Sequence, residues 1–196
     1  MKHFSELSES AERVVNVAEE LIQHCGYNGF SYDDIARQIG IKKPSIHHHF
    51  PSKSDLVAVV AQRYTHRFRE HLLRIEGKHA GAKDRLLAYA DLFQATFSKD
   101  RRLCVCGMLG AEAEALPPQV ASEVQQFFEV NLDWLAAVIK VGLTDGTFRK
   151  TSALRTLAEM YLCSLEGSMV VGRGAAQSVG PAAVGRALVG SMLSNT

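Results

Sequence analysis

The residues with the most chemical content lie between Ile35 and Ser54. This stretch holds Arg37, Lys42, Lys43 and Lys53 and no aspartate or glutamate. That is a local charge of +4 in a chain of 196 residues whose formal net charge is only +1. Cationic side chains gathered in one short segment are what contact with a phosphate backbone requires. Ser45 and the run His47-His48-His49 place hydrogen-bonding groups among the cations. Four cations are few for one copy acting alone, so doubling them across a two-fold partner is the expected arrangement. The adjacent histidines do not suit a metal ion. Residues one and two apart on a helix diverge, whereas chelation calls for spacings of three or four. The expectation is groove and phosphate contacts, with no metal and no cofactor.

The elements that must position these groups are legible around them. Ser31 with Asp34 three residues on reads as a capped helix start. Ile35, Ala36 and Ile39 give that helix its apolar face, and Gly40 breaks it where the chain must turn. Ile41 is expected to pack inward. Lys43, Pro44 and Ser45 open a second helix whose inner face is Ile46 and Phe50. Pro44 is tolerated there because first-turn amides have no intrahelical acceptor. Lys42 stands at the N-cap position and has no oxygen with which to cap. Pro51 ends the second helix and Ser52 caps a third. Two short helices around a tight turn are the layout that presents a helix to the DNA major groove.

Helical periodicity continues along almost the whole chain, so the predicted class is all-α with about nine helices. Val14, Val17, Ala18, Leu21 and Ile22 line a first helix that ends before Gly26. Further helices are expected from Ser54 to Ile75, Lys83 to Phe97, Leu103 to Leu116 and Val120 to Leu143. In the Val120–Leu143 helix, Val124, Phe128, Leu132, Leu135, Ile139 and Leu143 make the apolar stripe. After a turn at Asp145-Gly146, Ser152 to Val171 and Pro181 to Leu193 close the chain. Ser168 to Gly172 is the one β-like stretch and fits a helix end equally well. The last two helices mix small residues (Gly167, Gly172, Ala183, Gly185, Ala187, Gly190) with Met160, Met169, Val184 and Leu188. They read either as docked within one chain or as the face of a homodimer, and the second reading is preferred.

Several classes are set aside. The chain is 46% hydrophobic but has no run of eighteen apolar residues, so no membrane span is expected. The opening MKHFSELSES lacks the apolar core of a secretory signal, so a cytoplasmic protein with reduced cysteines is expected. Glu112 and Glu114 are two apart and diverge on a helix. With no Ser/His/Asp order, phosphate loop or metal cluster, the chain is not expected to be an enzyme.

The segment from Ala18 to Leu56 resembles the DNA-binding domain of the TetR family of bacterial regulators. The resemblance is carried by Gly26-Tyr27, Asp34-Ile35-Ala36, Gly40-Ile41, the run Lys43 to Phe50, and Ser52-Lys53-Ser54-Asp55-Leu56. It implies a DNA-binding domain over residues 1–55 and a helical effector-binding and dimerisation domain over 56–196. The partners implied are double-stranded operator DNA, a second copy held through the last two helices, and a small-molecule effector. Arg37, Lys42, Lys43, Ser45, His47, His48 and Lys53 are the implied DNA contacts. Lys53 resembles a phosphate-contacting lysine of the family, and His47 stands where the family usually has tyrosine.

The resemblance leaves the effector open. Phe93, Phe97, Cys104, Met108 and Trp134 are the candidate pocket residues, and each of the aromatics also suits plain core packing. Cys104-Val105-Cys106 reads as two small buried hydrophobes or as a thiol sensor, because CVCGMLGAE looks like the corresponding segment of family members that sense electrophiles. The function expected is a homodimeric repressor released from a palindromic operator by an effector or by thiol modification. An activator, or a helical adaptor that binds protein, is the alternative.

Overall fold

The computed structural model describes residues 3–150, 153–176 and 179–194. Among these residues the chain forms α1 (Glu9–Cys25), α2 (Tyr32–Ile39), α3 (Lys43–His49), α4 (Lys53–Lys78), α5 (Ala82–Phe97), α6 (Val105–Gly110), α7 (Pro118–Thr144), α8 (Leu154–Gly174) and α9 (Gly180–Met192). Two 3-10 turns, Phe4–Glu6 and Ala113–Ala115, and one isolated bridge between Phe148 and Leu193 are the remaining regular features. The class is therefore all-α. The expected start of the eighth helix at Ser152 lies outside the described residues, and Ser168 to Gly172 is helical.

The chain packs as two compact units. One takes the chain up to Arg67 together with Cys104–Phe127, and the other takes Phe68–Leu103 with the chain from Phe128 onward. In the first unit α1 buries Val14, Val15, Ala18 and Ile22 along one face. The Asp34 carboxylate accepts from the Ser31 backbone N–H at 2.8 Å and from its hydroxyl at 2.7 Å, which starts α2 where the sequence placed it. Gly40 turns the chain in the left-handed region at φ 78°, a conformation with no penalty for a residue lacking Cβ. Beyond it α3 buries Ile46, and Phe50 follows it into the core. Tyr32, which periodicity did not single out, is buried on α2 and donates its hydroxyl proton to the Phe50 carbonyl at 3.0 Å. Asp55 repeats the capping arrangement with Ser52 at the start of α4. Glu19 on α1 accepts from Arg63 at 2.8 Å and Arg67 at 2.5 Å, tying α1 to α4.

α6 packs on α1 through buried Val105, Cys106 and Leu109. It is shorter than the helix expected over Leu103 to Leu116. It stops at Gly110, and a 3-10 turn at Ala113–Ala115 leads to Pro118 and α7. The early stop frees Glu112 from the helical repeat and lets its carboxylate reach the loop after α1.

In the second unit α5 and α8 both pack against α9. A Cβ on Gly185 would stand 2.5 Å from the Ala90 Cβ and 3.0 Å from the Tyr161 hydroxyl, so this glycine admits close approach of α9 to α5. Part of the small-residue content of α9 thus serves packing inside the chain. Tyr161 donates to the Leu86 carbonyl at 2.7 Å. The stripe expected on α7 is displaced. Val124, Leu135 and Ile139 are buried, but Phe128, Leu132 and Leu143 are only half-buried, while Phe127, Asn131 and Val138 are fully buried. The inward positions include a polar residue, which a search for apolar spacing steps around. Asn131 is accommodated because its Oδ1 accepts from the Tyr89 hydroxyl at 2.8 Å.

Candidate nucleic-acid interface

The predicted contact residues lie on α2, α3 and the first turn of α4, all within the first unit. α3 has an inner face and an outer face. Ile46 is fully buried, whereas Lys42, Lys43, Ser45, His47 and His48 are exposed. A short helix anchored by one isoleucine and by the phenylalanine at its end can offer its whole opposite side to a groove. Lys42 makes no side-chain cap, and Pro44 occupies the first turn of α3.

The cations are not bare. Lys43 Nζ lies 2.8 Å from Asp33, and Arg37 lies 3.2 Å from Asp34. Both pairs are exposed, so each is weak and can be exchanged for a phosphate. Arg37, Lys43 and the two aspartates form a mixed-charge edge on α2 and α3, which inspection of residues 35–54 alone does not reveal. The Asp34 carboxyl is held below the usual carboxylate range, first by its hydrogen bonds from Ser31 and then by Arg37.

Lys53 is half-buried. Its ammonium lies 4.1 Å from the centre of the Phe30 ring and 4.9 Å from that of Tyr27, and it donates to the Phe30 carbonyl. Burial pulls the Lys53 pKa down from its ordinary value, and the charge of Glu112 opposes that pull. His47 approaches Tyr32 edge-on at 4.8 Å, and its Nδ1 lies 3.3 Å from the Pro51 carbonyl. A carbonyl only accepts, so Nδ1 carries the proton in that contact. His49 Nε2 sits 2.9 Å from the Ser10 hydroxyl, which ties the end of α3 to α1. Among the described residues no group of three or more His, Cys, Asp or Glu side chains is arranged to hold a metal ion.

The candidate effector residues fall into both units. Phe93 is buried 5.4 Å from Tyr89, and Trp134 stacks on the same Tyr89 at 5.4 Å with 19° between the ring planes. The Trp134 N–H donates to Glu76 at 2.8 Å. Phe97 is buried on α5, in the same unit. Cys104 and Met108 belong to the first unit. Cys104 is buried and caps α6, its Sγ accepting from the Gly107 N–H at 3.5 Å, and Cys106 is buried beside it. In the second unit an open recess of about 290 Å³ is lined by Lys78, His79, Asp84, Leu87, Ala88 and Asp91, none of them a residue expected of the effector pocket.

Known proteins resemble this chain in sequence and fold. The family model for bacterial regulatory proteins of the tetR family matches residues 14–60, the span from α1 into α4. The crystal structure of a TetR-family transcriptional regulator from Agrobacterium tumefaciens is 32% identical, covers 94% of this chain and 97% of its own, and superposes with a TM-score of 0.87. Two curated relatives match over shorter spans. One is an uncharacterized HTH-type transcriptional regulator of Bacillus subtilis, 32% identical over 66 residues, 34% of this chain and 35% of that protein. The other is the HTH-type negative transcriptional regulator of the biofilm operon icaADBC in Staphylococcus epidermidis, 27% identical over 116 residues, 59% of this chain and 61% of that protein. The chain thus spans less than two thirds of either curated relative. An identity of 32% over almost the full length of a TetR-family regulator, with a TM-score of 0.87, establishes the relationship: the chain belongs to the TetR family of transcriptional regulators and carries that family's helix-turn-helix DNA-binding domain.

Proposed function

We propose that the protein is a homodimeric repressor that reads a palindromic operator and leaves it when the C-terminal domain is occupied or modified. The observation that carries the DNA-reading part is the two-faced α3, with Ile46 buried and Lys43, Ser45, His47 and His48 exposed on one short helix and Lys42 exposed at its N-cap. In this reading residues 1–55 read DNA and residues 56–196 bind the effector and the second copy. Lys43, Ser45 and His48 reach base edges or nearby phosphates, while Arg37, Lys42, His47 and Lys53 contact the backbone. The family consists of transcriptional regulators, and a role without catalysis fits it.

The dimer reading is supported by an apolar outer face on α8 and α9. Met160, Val170 and Val171 on α8 are 54%, 58% and 65% exposed, unusually open for residues of their size. Ala187 and Gly190 lie exposed on α9, which packs against α8. Two-fold pairing through this face doubles the local charge and sets two copies of α3 against successive half-sites, roughly 34 Å apart or a multiple of that. An effector that prefers a different spacing of the two reading helices releases the operator by shifting the population. The effector groups favoured are Phe93, Trp134 and Phe97 for a small molecule. Cys104 is favoured for a thiol reagent, although its burial means that α6 must open before a reagent reaches the sulfur.

Selection of random duplexes by the purified full-length protein tests the central reading. The expected outcome is enrichment of an inverted repeat bound by two copies. Recovery of no preferred sequence, with binding that scales only with phosphate charge, would sink it.

A further inference from the structure

A carboxylate far away in sequence holds the entrance of the helix-turn-helix. Glu112, past the end of α6, accepts the Tyr27 backbone N–H on Oε1 at 2.7 Å. Its Oε2 accepts the Asn28 backbone N–H at 3.1 Å and the Asn28 side-chain amide at 2.5 Å. Three donors converge on a side chain 84 and 85 residues away, and hydrogen bonds to an ionised acceptor are the strong kind. The seat is shaped for this group. Gly26, at φ +74°, would put a Cβ 2.0 Å from Oε1, so only a residue without a side chain leaves room for the carboxylate. The loop so held carries Tyr27 and Phe30, the two rings that flank the Lys53 ammonium, and Phe30 supplies the carbonyl to which Lys53 donates. Lys53 opens α4, three residues after Phe50, which closes α3. Contacts therefore run from Glu112 to the Tyr27–Phe30 loop and from that loop to Lys53, which the chain itself joins to Phe50 at the end of α3, three residues before it.

We propose that Glu112 is a positioning residue for operator binding: its carboxylate latches the α6 segment to the loop between α1 and α2 and so holds α2 and Lys53 where DNA contact needs them. Glu112 lies two residues past the end of α6, so a displacement of α6 opens the latch. The proposal rests on the DNA-binding reading above, and the two fail differently. A wild-type protein that binds no duplex overturns both, whereas a latch variant that binds like wild type overturns the latch alone.

The experiment uses the full-length protein, the duplex recovered by selection, and an assay temperature at which circular dichroism shows every variant folded. Glu112→Ala is expected to weaken operator affinity about tenfold, the effect of losing about one net charge-assisted hydrogen bond. Amide hydrogen exchange at Tyr27 and Asn28 is expected to accelerate in the same variant, with α5 and α9 amides unchanged. A contact that only stabilises the fold lowers the melting temperature and leaves affinity in the folded protein as it was, and that result overturns the proposal. So does exchange at Tyr27 and Asn28 at the wild-type rate. Should Glu112→Ala fail to fold, Asn28→Asp and the pair Asn28→Asp with Glu112→Gln decide. The single change sets like charges together and weakens operator binding, and the pair removes the repulsion and recovers part of the loss. A double variant no better than the product of its singles overturns the latch.

Discussion

Asp34 illustrates how much one exposed carboxylate does here. It closes the cap of α2 by accepting twice from Ser31, and it pairs with Arg37 on the face proposed to meet DNA. Its carboxyl is held below the usual range by those contacts. A group whose pKa is lower in the folded protein adds stability at pH values above its unfolded pKa. That stability fades as pH falls through the folded value. Thermal melts from neutrality down to acid should therefore show Asp34→Asn already destabilised near neutral pH. Below about pH 4, the ordinary range of an aspartate, the gap to wild type should narrow. A gap that stays constant with pH would show that the carboxylate charge is not what caps α2. The Ser31–Asp34 pair is local and could be read from spacing alone. Lys53 is the opposite case. Its cation and its place at the start of α4 were legible, but the rings of Tyr27 and Phe30 around it depend on a loop whose path no periodicity encodes.

At the scale of elements, α2 and α3 meet through an ion pair as well as through their apolar sides. Asp33 on α2 holds Lys43 on α3, so contact between Lys43 and a phosphate means giving up that partner. Both side chains are solvated, so the exchange is cheap but not free. Asp33→Asn is expected to raise affinity for all duplexes, specific or not, by about two- to fivefold, with a steeper loss of binding as salt rises. Unchanged affinity across a salt series would show that Lys43 does not reach DNA. The helices that carry these residues were legible because capping boxes, glycine and proline bracket them within a few residues. α6 was over-extended by sequence reasoning, since AEAEAL beyond Gly110 is good helix composition up to Leu116. The chain leaves the helix at Gly110, a residue of low helix propensity, and Glu112 then reaches the loop after α1. The distant partner of Glu112, a pair of backbone amides, is invisible to any pattern of side chains.

For the whole molecule, the exposed side of α8 is the surface proposed to receive the second copy. Val171→Glu puts a charge where two copies are proposed to meet. Sedimentation should then show the chain as one copy at micromolar concentration. Operator affinity should fall at least a hundredfold, because each copy alone holds half of the site. A variant that sediments as wild type would move the dimer elsewhere on the chain. The described residues contain no helix long and apolar enough to cross a membrane, so the exposed valines do not mark a spanning segment.

Asn131 has a consequence for how the chain finds this arrangement at all. α7 runs over 27 residues, rich in Val, Leu, Ile and Phe. Such a helix has many near-equivalent ways to lie on an apolar partner, because sliding by a turn or rotating by one position exchanges one aliphatic side chain for another. The amide of Asn131 meets the Tyr89 hydroxyl in only one of them. Every slipped packing strands a polar group in hydrocarbon. Asn131 thus favours the one register of α7 in which its amide is paired.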